Sequence, residues 1–182
     1  NLCKNISITG NNILKAAGAP TAGKEDIKAD GFQDSIISNN TISSGESKIL
    51  ISGVSAASKN ITITGNVLDV NNGSAQDVDA VKLSTADQCV VSSNIIRCSD
   101  SKSTLSGLNL DISDDCIVSD NIIENFTTGV TVATGSLNCQ VGNNRMTSTT
   151  NEVTDTGTAT QVFFSTVPST FGADIFKIGS GG

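Results

Sequence analysis

The chain has 182 residues, 17 of them Gly and only two Pro, with a formal net charge of −7 and its 11 basic residues scattered. No clustered Lys/Arg face is present to hold a nucleic-acid backbone or an anionic membrane surface, and no apolar run approaches the roughly 18 to 20 residues that span a bilayer. His, Trp and Tyr are absent, which removes imidazole base chemistry, imidazole metal sites and the usual sugar-stacking rings together.

The sequence opens at Asn1 without a charged-then-apolar leader and almost directly on a repeat, so a piece of a longer solenoid is expected. The first copy, CKNISITGNNI at residues 3–13, reduces to an inward residue, any, Ile or Val, any two, Asn, any, Ile. The frame returns at Ser35-Ile37-Asn40-Ile42, Ile61-Ile63-Asn66-Leu68 and Cys89-Val91-Asn94-Ile96. Cys116-Val118-Asn121-Ile123 and Cys139-Val141-Asn144-Met146 complete the series. Asn11, Asn40, Asn66, Asn94, Asn121 and Asn144 are spaced 29, 26, 28, 27 and 23 residues apart. A period in this range, with apolar-x-apolar alternation and no helical spacing, signals a solenoid of strands.

A second strand precedes the frame: Ile27-Lys28-Ala29, Val81-Lys82-Leu83, Leu108-Asn109-Leu110 and Val130-Thr131-Val132. The Asn column is read as the corner between strands, where the residue tolerates unusual backbone angles and its amide stacks into a ladder. These Asn are structural in this reading. Cys3, Cys89, Cys116 and Cys139 are assigned to one position of the repeat, with Ser35 and Ile61 completing the column. Rungs about 4.8 Å apart would allow a disulfide between neighbours, but small buried hydrophobes are the preferred reading, so reduced cysteines are expected. Cys98, two after Ile96, is expected to point inward as well. CxxC spacing is absent, so no metal site and no cofactor are assigned.

Between frames, Gly-, Asn- and Asp-rich segments of variable length mark loops on one edge of the solenoid. After Met146 the period fails: TSTTNEVTDTGTATQ reads as a polar loop, then QVFFSTV and DIFKI as strands enriched in Phe. The expected division is a β-helix over 1–147 and a C-terminal cap or oligomerisation segment over 148–182.

With NISITGN, NITITGN and CIVSDN in place, residues 1–147 resemble the right-handed parallel β-helix, or pectate-lyase-like, superfamily. The resemblance implies an all-β solenoid of about six rungs with a non-repeating C-terminal β segment. Low aromatic content, abundant Ser, Thr and Asn and the Phe-rich end are most similar to bacteriophage tailspikes and appendages. That likeness implies a homotrimeric virion module that binds bacterial surface polysaccharide. Two further readings stay open, a polysaccharide-degrading glycosidase or lyase and a secreted, cell-surface bacterial adhesin.

Sugar hydrolysis needs two carboxyl groups, about 5–5.5 Å apart for retention or 6.5–9.5 Å for inversion. Asp87 and Asp114 each lie two before a column cysteine and would stack on neighbouring rungs, with Asp111 and Asp115 nearby. Against that reading, Asp is a common acceptor of turn N–H groups. A second set, Asp77, Asp79, Asp100 and Glu124 with Arg97 and Lys102, would engage a charged glycan; calcium is a weaker reading because no DxDxDG loop occurs. A lyase of this fold needs a base beside several Asp, and Lys82 is the one strand-borne base near Asp79.

Overall fold

A computed structural model describes residues 2–14, 26–44, 49–53, 58–70, 79–99, 103–147 and 149–163, and every element among them is a strand. The strands stack into three parallel sheets wound along one coil. The first sheet holds Cys3–Lys4 with Ser7–Thr9, Phe32–Ser38, Ser58–Thr64, Ala86–Asp87 with Val90–Ser92, Ile117–Ser119, Gln140–Gly142 and Gln161–Phe163. The second holds Asn12–Leu14, Thr41–Ser44, Val67–Val70, Ile95–Cys98, Ile122–Glu124 and Arg145–Thr147. The third holds Ile27–Asp30, Ile49–Ser52, Val81–Ser84, Ser103–Asp111, Phe126–Val132 and Asn151–Asp155. Each turn runs from third sheet to first to second, so the sequence frame is two strands split at its Asn. The chain is a parallel β-helix.

Alternation at period two decides which residues meet. Ile37, Ile63, Val91, Val118 and Val141 stack under the first sheet, and Ile42, Leu68, Ile96 and Ile123 under the second. Ile51, Leu83, Leu110 and Val132 do the same under the third. All of them are essentially inaccessible, and each contributes roughly 1.5–3 kcal/mol by leaving water. Ile49–Ser52, which the sequence reading passed over, belongs to the same file because Ile49 and Ile51 continue the alternation beside Val81 and Leu83.

The rung count differs slightly from six. The first sheet carries a seventh level, Gln161–Phe163, and the stretch read as a polar loop contains the strand Asn151–Asp155 paired with Phe126–Val132. Val153 supplies an inward residue there, while the polar residues around it are exposed. The Phe-rich segment over 164–182 lies outside the described residues.

Among the described residues the positive φ angles mark the bends of the coil. The ladder Asn do not take them. The residue just before each one does: Gly10, Asn39, Gly65, Ser93, Asp120 and Asn143, with φ between 55° and 70°. Asn5, Asp34, Asn60, Gln88, Asp115 and Asn138 take the same angles along the first sheet, with Asp34 and Asn60 inside its strands Phe32–Ser38 and Ser58–Thr64. Asn, Asp and Gly enter this region at least cost, which accounts for most of these positions.

The ladder Asn hold the coils together instead. Each Nδ2 donates to the Oδ1 of the next Asn at 2.9–3.0 Å, from Asn11 through to Asn144. Each receiving Oδ1 also accepts the donor residue's backbone N–H, at 2.9 Å from Asn66 to Asn94 and 3.0 Å from Asn94 to Asn121. Remaining amide protons reach carbonyls one coil back, such as Ile63 O from Asn94 at 3.0 Å. A serine column works likewise at the third-to-first corner, where Ser113 Oγ accepts Ala86 N–H at 3.2 Å and Ser136 Oγ accepts Ser113 N–H at 3.0 Å.

Cys3 does not belong to the cysteine column. It is exposed and opposite Phe32, and Ile6 is the residue whose N–H meets Ser35 Oγ at 3.1 Å. Cys3 precedes its Asn by eight residues, whereas Cys89, Cys116 and Cys139 precede theirs by five.

Candidate functional site

On the third sheet the residues between inward positions face outward and are half-buried, and register places Lys82 beside Asn109 and Asn109 beside Thr131. Ser84 is opposite Asp111 one coil up. Lys82 Nζ lies 3.1 Å from Asp111 Oδ2, and Ser84 Oγ donates to the same oxygen at 3.4 Å. Asp79, at the head of Val81–Ser84, is buried; its Oδ1 accepts Ser106 N–H at 3.0 Å and its Oδ2 accepts Asn109 Nδ2 at 2.8 Å. Ser106 Oγ and Thr131 Oγ1 are 2.6 Å apart. Burial raises the Asp79 pKa above the ordinary carboxylate value, more than the bonds from Asn109 and Ser106 and the charge of Lys82 lower it. Asn109 Oδ1 is buried without a hydrogen-bond partner.

Thr85 and Ile112 border this row at φ 54° and 51°. A β-branched residue in that region is a strained outlier, and such strain concentrates where function over-determines the backbone.

Of the proposed acid pair, each member serves a corner. Asp87 Oδ1 accepts Asp114 N–H at 3.4 Å, and Asp114 Oδ1 accepts Leu137 N–H at 2.9 Å. Asp115 Oδ1 accepts from Asn138 Nδ2 at 3.3 Å. Asp111 is drawn to Lys82 on the third sheet.

The second candidate set is divided. Arg97 and Glu124 are register partners on the outward face of the second sheet, inside a file of alternating charge. Arg97 Nε is 3.2 Å from Asp69 Oδ2, and Arg145 reaches Glu124 at 3.6 Å. Asp79 stands on the third sheet, and Asp77, Asp100 and Lys102 lie outside the described residues. The sequence reading missed Ser106, Asn109 and Thr131 as neighbours of Asp79. Asn109 and Thr131 were legible as the middle residues of strand triplets aligned with Lys82; Ser106 lies at an irregularity in the ladder that no pattern marks.

Sulfur forms a file of its own. Cys89, Cys116 and Cys139 are free and fully buried, and their thiols lie against corner carbonyls: Asp87 O at 3.3 Å, Ala86 O and Asp114 O at 3.3 Å, Ser113 O at 3.1 Å. Ser35 does the same job lower in the column, donating to Gln33 O at 2.7 Å. Hydrogen bonding with Cys116 draws the Cys89 thiol down. At Cys116 a lowering bond from Cys139 is outweighed by the Cys89 thiol and by burial, which push it up to about 12. Cys139 is held high by Cys116 and by burial. Cys98 is buried on the second sheet and Cys3 is exposed on the first. Among the described residues no group of three or more His, Cys, Asp or Glu is arranged to hold a metal ion.

The sequence model of one family, periplasmic copper-binding protein (NosD), matches residues 1–175. A search of curated proteins finds no match to this chain.

Proposed function

We propose that this chain, which belongs to the NosD family of periplasmic proteins, is the solenoid of an extracytoplasmic module that binds bacterial polysaccharide, of the adhesin type. The observation that carries this reading is the row Lys82, Asp111, Asn109 and Thr131 along consecutive coils of the third sheet, with Asp79 and Ser106 buried beneath it. A polysaccharide is itself a periodic array of hydroxyls, and stacked coils repeat donors and acceptors about every 4.8 Å, so a chain lying along the helix meets one polar group after another. In the sequence, segments of variable length precede the third-sheet strands, as in repeat proteins whose recognition surface such segments shape. The family favours a periplasmic or secreted setting over the virion spike that the sequence reading ranked first.

Binding is favoured over cleavage by the assignments of the carboxylates. Asp87 and Asp114 are occupied by backbone N–H groups and Asp111 by Lys82. The test is affinity electrophoresis of the chain through gels holding capsular, O-antigen or exopolysaccharide preparations. Retardation by one polysaccharide, lost in Lys82→Ala and Asp111→Ala but kept in Arg97→Ala, is the expected outcome. Retardation by none, or its loss through Arg97→Ala alone, moves the site or removes the function. Release of reducing ends or unsaturated uronate in the same incubation would instead make the chain a depolymerase.

A further inference from the structure

The family description names copper, and copper proteins hold the metal with thiolate or thioether sulfur, as Cu(I) sites do, or with imidazole and other nitrogen and oxygen donors. The chain has no His, one Met and five Cys, and all six sulfur residues fall within the described coils, so the inventory of soft donors is complete.

That inventory does not assemble. Cys89, Cys116 and Cys139 share one file, but each is fully buried with its thiol set against backbone carbonyls of the corner. A metal ligand must be the deprotonated thiolate and the ion needs a route to it. Here two of the three thiols are held high, and the first sheet covers the file. Cys98 lies on a different sheet and Cys3 at the exposed first level. Met146 is committed to packing: its sulfur sits over Gly129, against which a Cβ would collide.

We infer that the described residues of this chain hold no built copper site, and that its cysteine file is a corner-capping column that does with S–H groups what Ser35 does with a hydroxyl. The copper named by the family is therefore not carried by these coils. The inference is independent of polysaccharide binding, since it concerns the interior and not the third-sheet face.

The test is a titration of the reduced full chain with Cu(I) against a chromophoric Cu(I) chelator, alongside thermal unfolding with and without copper. Wild type, Cys3→Ser and Cys116→Ser are compared; Ser35 shows that serine fits this column, and circular dichroism checks that both variants fold. Expected are capture of no more than the single equivalent that Cys3 can hold, its loss in Cys3→Ser, and no copper-induced rise in unfolding temperature for any of the three. A stoichiometric copper that survives Cys3→Ser overturns the inference. Its loss in Cys116→Ser would place it in the file, and its survival there would place it on other atoms.

Discussion

Replacing Asn94 by Ala tests the ladder at a fully connected, buried point. Asn94 Oδ1 accepts Asn66 N–H at 2.9 Å and Asn66 Nδ2 at 3.0 Å, while its Nδ2 donates to Asn121 Oδ1 at 2.9 Å and Ile63 O at 3.0 Å. Alanine strands the buried Asn66 N–H and removes a donor from Ile63 O. At about 1–3 kcal/mol for a buried group left unpaired, the cost is about 2–4 kcal/mol once the partly satisfied carbonyl is included. Asn11, at the exposed end of the same ladder, faces water that can replace its partners, so Asn11→Ala is expected to cost at most about 1 kcal/mol. Urea unfolding followed by far-UV circular dichroism measures both. Because coils interact chiefly with their neighbours, Asn94→Ala also weakens the coupling between the two halves and lowers the cooperativity of the transition. Equal costs at the two sites, or a loss under about 1 kcal/mol at Asn94, would falsify the claim that buried amide pairing holds the coils in register. Asn94→Asp adds a sign to the test. The new oxygen faces Asn121 Oδ1 and Ile63 O, so the folded state holds the proton more tightly than the unfolded chain. The variant is then most stable below the ordinary carboxylate range and loses stability as pH rises through its folded pKa.

Asp79 carries the same sign in the native chain, because burial raises its folded pKa: its contribution is fully present below the unfolded value of 3.8 and lost as pH rises through the folded one. Asp79→Asn keeps the acceptor for Ser106 N–H, but its new amide faces Asn109 Nδ2, so the Asn109 amide must turn over for the unpartnered Oδ1 to accept from it; with that flip the variant should be about as stable as wild type near neutrality, with a flatter profile of urea midpoint against pH. Gly129→Ala drives a Cβ to 2.7 Å from Glu152 O and into the Met146 sulfur; a loss of about 1–3 kcal/mol is expected in chemical denaturation. Ile112→Gly removes a β-branched residue from φ 51°, at the position where a lower coil has Gly31 at φ 71°. Relief of about 1–3 kcal/mol of strain, less the added freedom of the unfolded chain, gives a net gain near 1 kcal/mol in thermal unfolding. An unchanged or lower midpoint would show that Ile112 is not strained.

The alternation of apolar residues, the spacing of the six Asn and the triplets such as Val81-Lys82-Leu83 were enough to read a stacked parallel coil directly from the sequence. Burial explains that legibility: an inward column in a solenoid accepts few residue types, so every coil repeats nearly the same letters. The corners were half legible. The Asn that bonds from coil to coil is constant, but the residue that turns the backbone is Gly at 10 and 65, Asn at 39 and 143, Ser at 93 and Asp at 120, so no single letter marks it. Cys3 was misplaced because a cysteine near the head of the first copy looks like the others until strand register assigns that position to Ile6.

What lies on the outside could be settled only by the folded chain. No packing requirement constrains the identity of outward residues, so periodicity aligns Lys82, Asn109 and Thr131 but does not say which polar groups bond. Asp79 and Asn109 are 30 residues apart and touch because one intervening loop has the length it has. The same accident of coil length sends Asp111 to Lys82 and leaves Asp87 and Asp114 capping backbone N–H groups. Inward letters fix a coil through exclusion of water, while outward chemistry depends on the register that the coil acquires once it is wound.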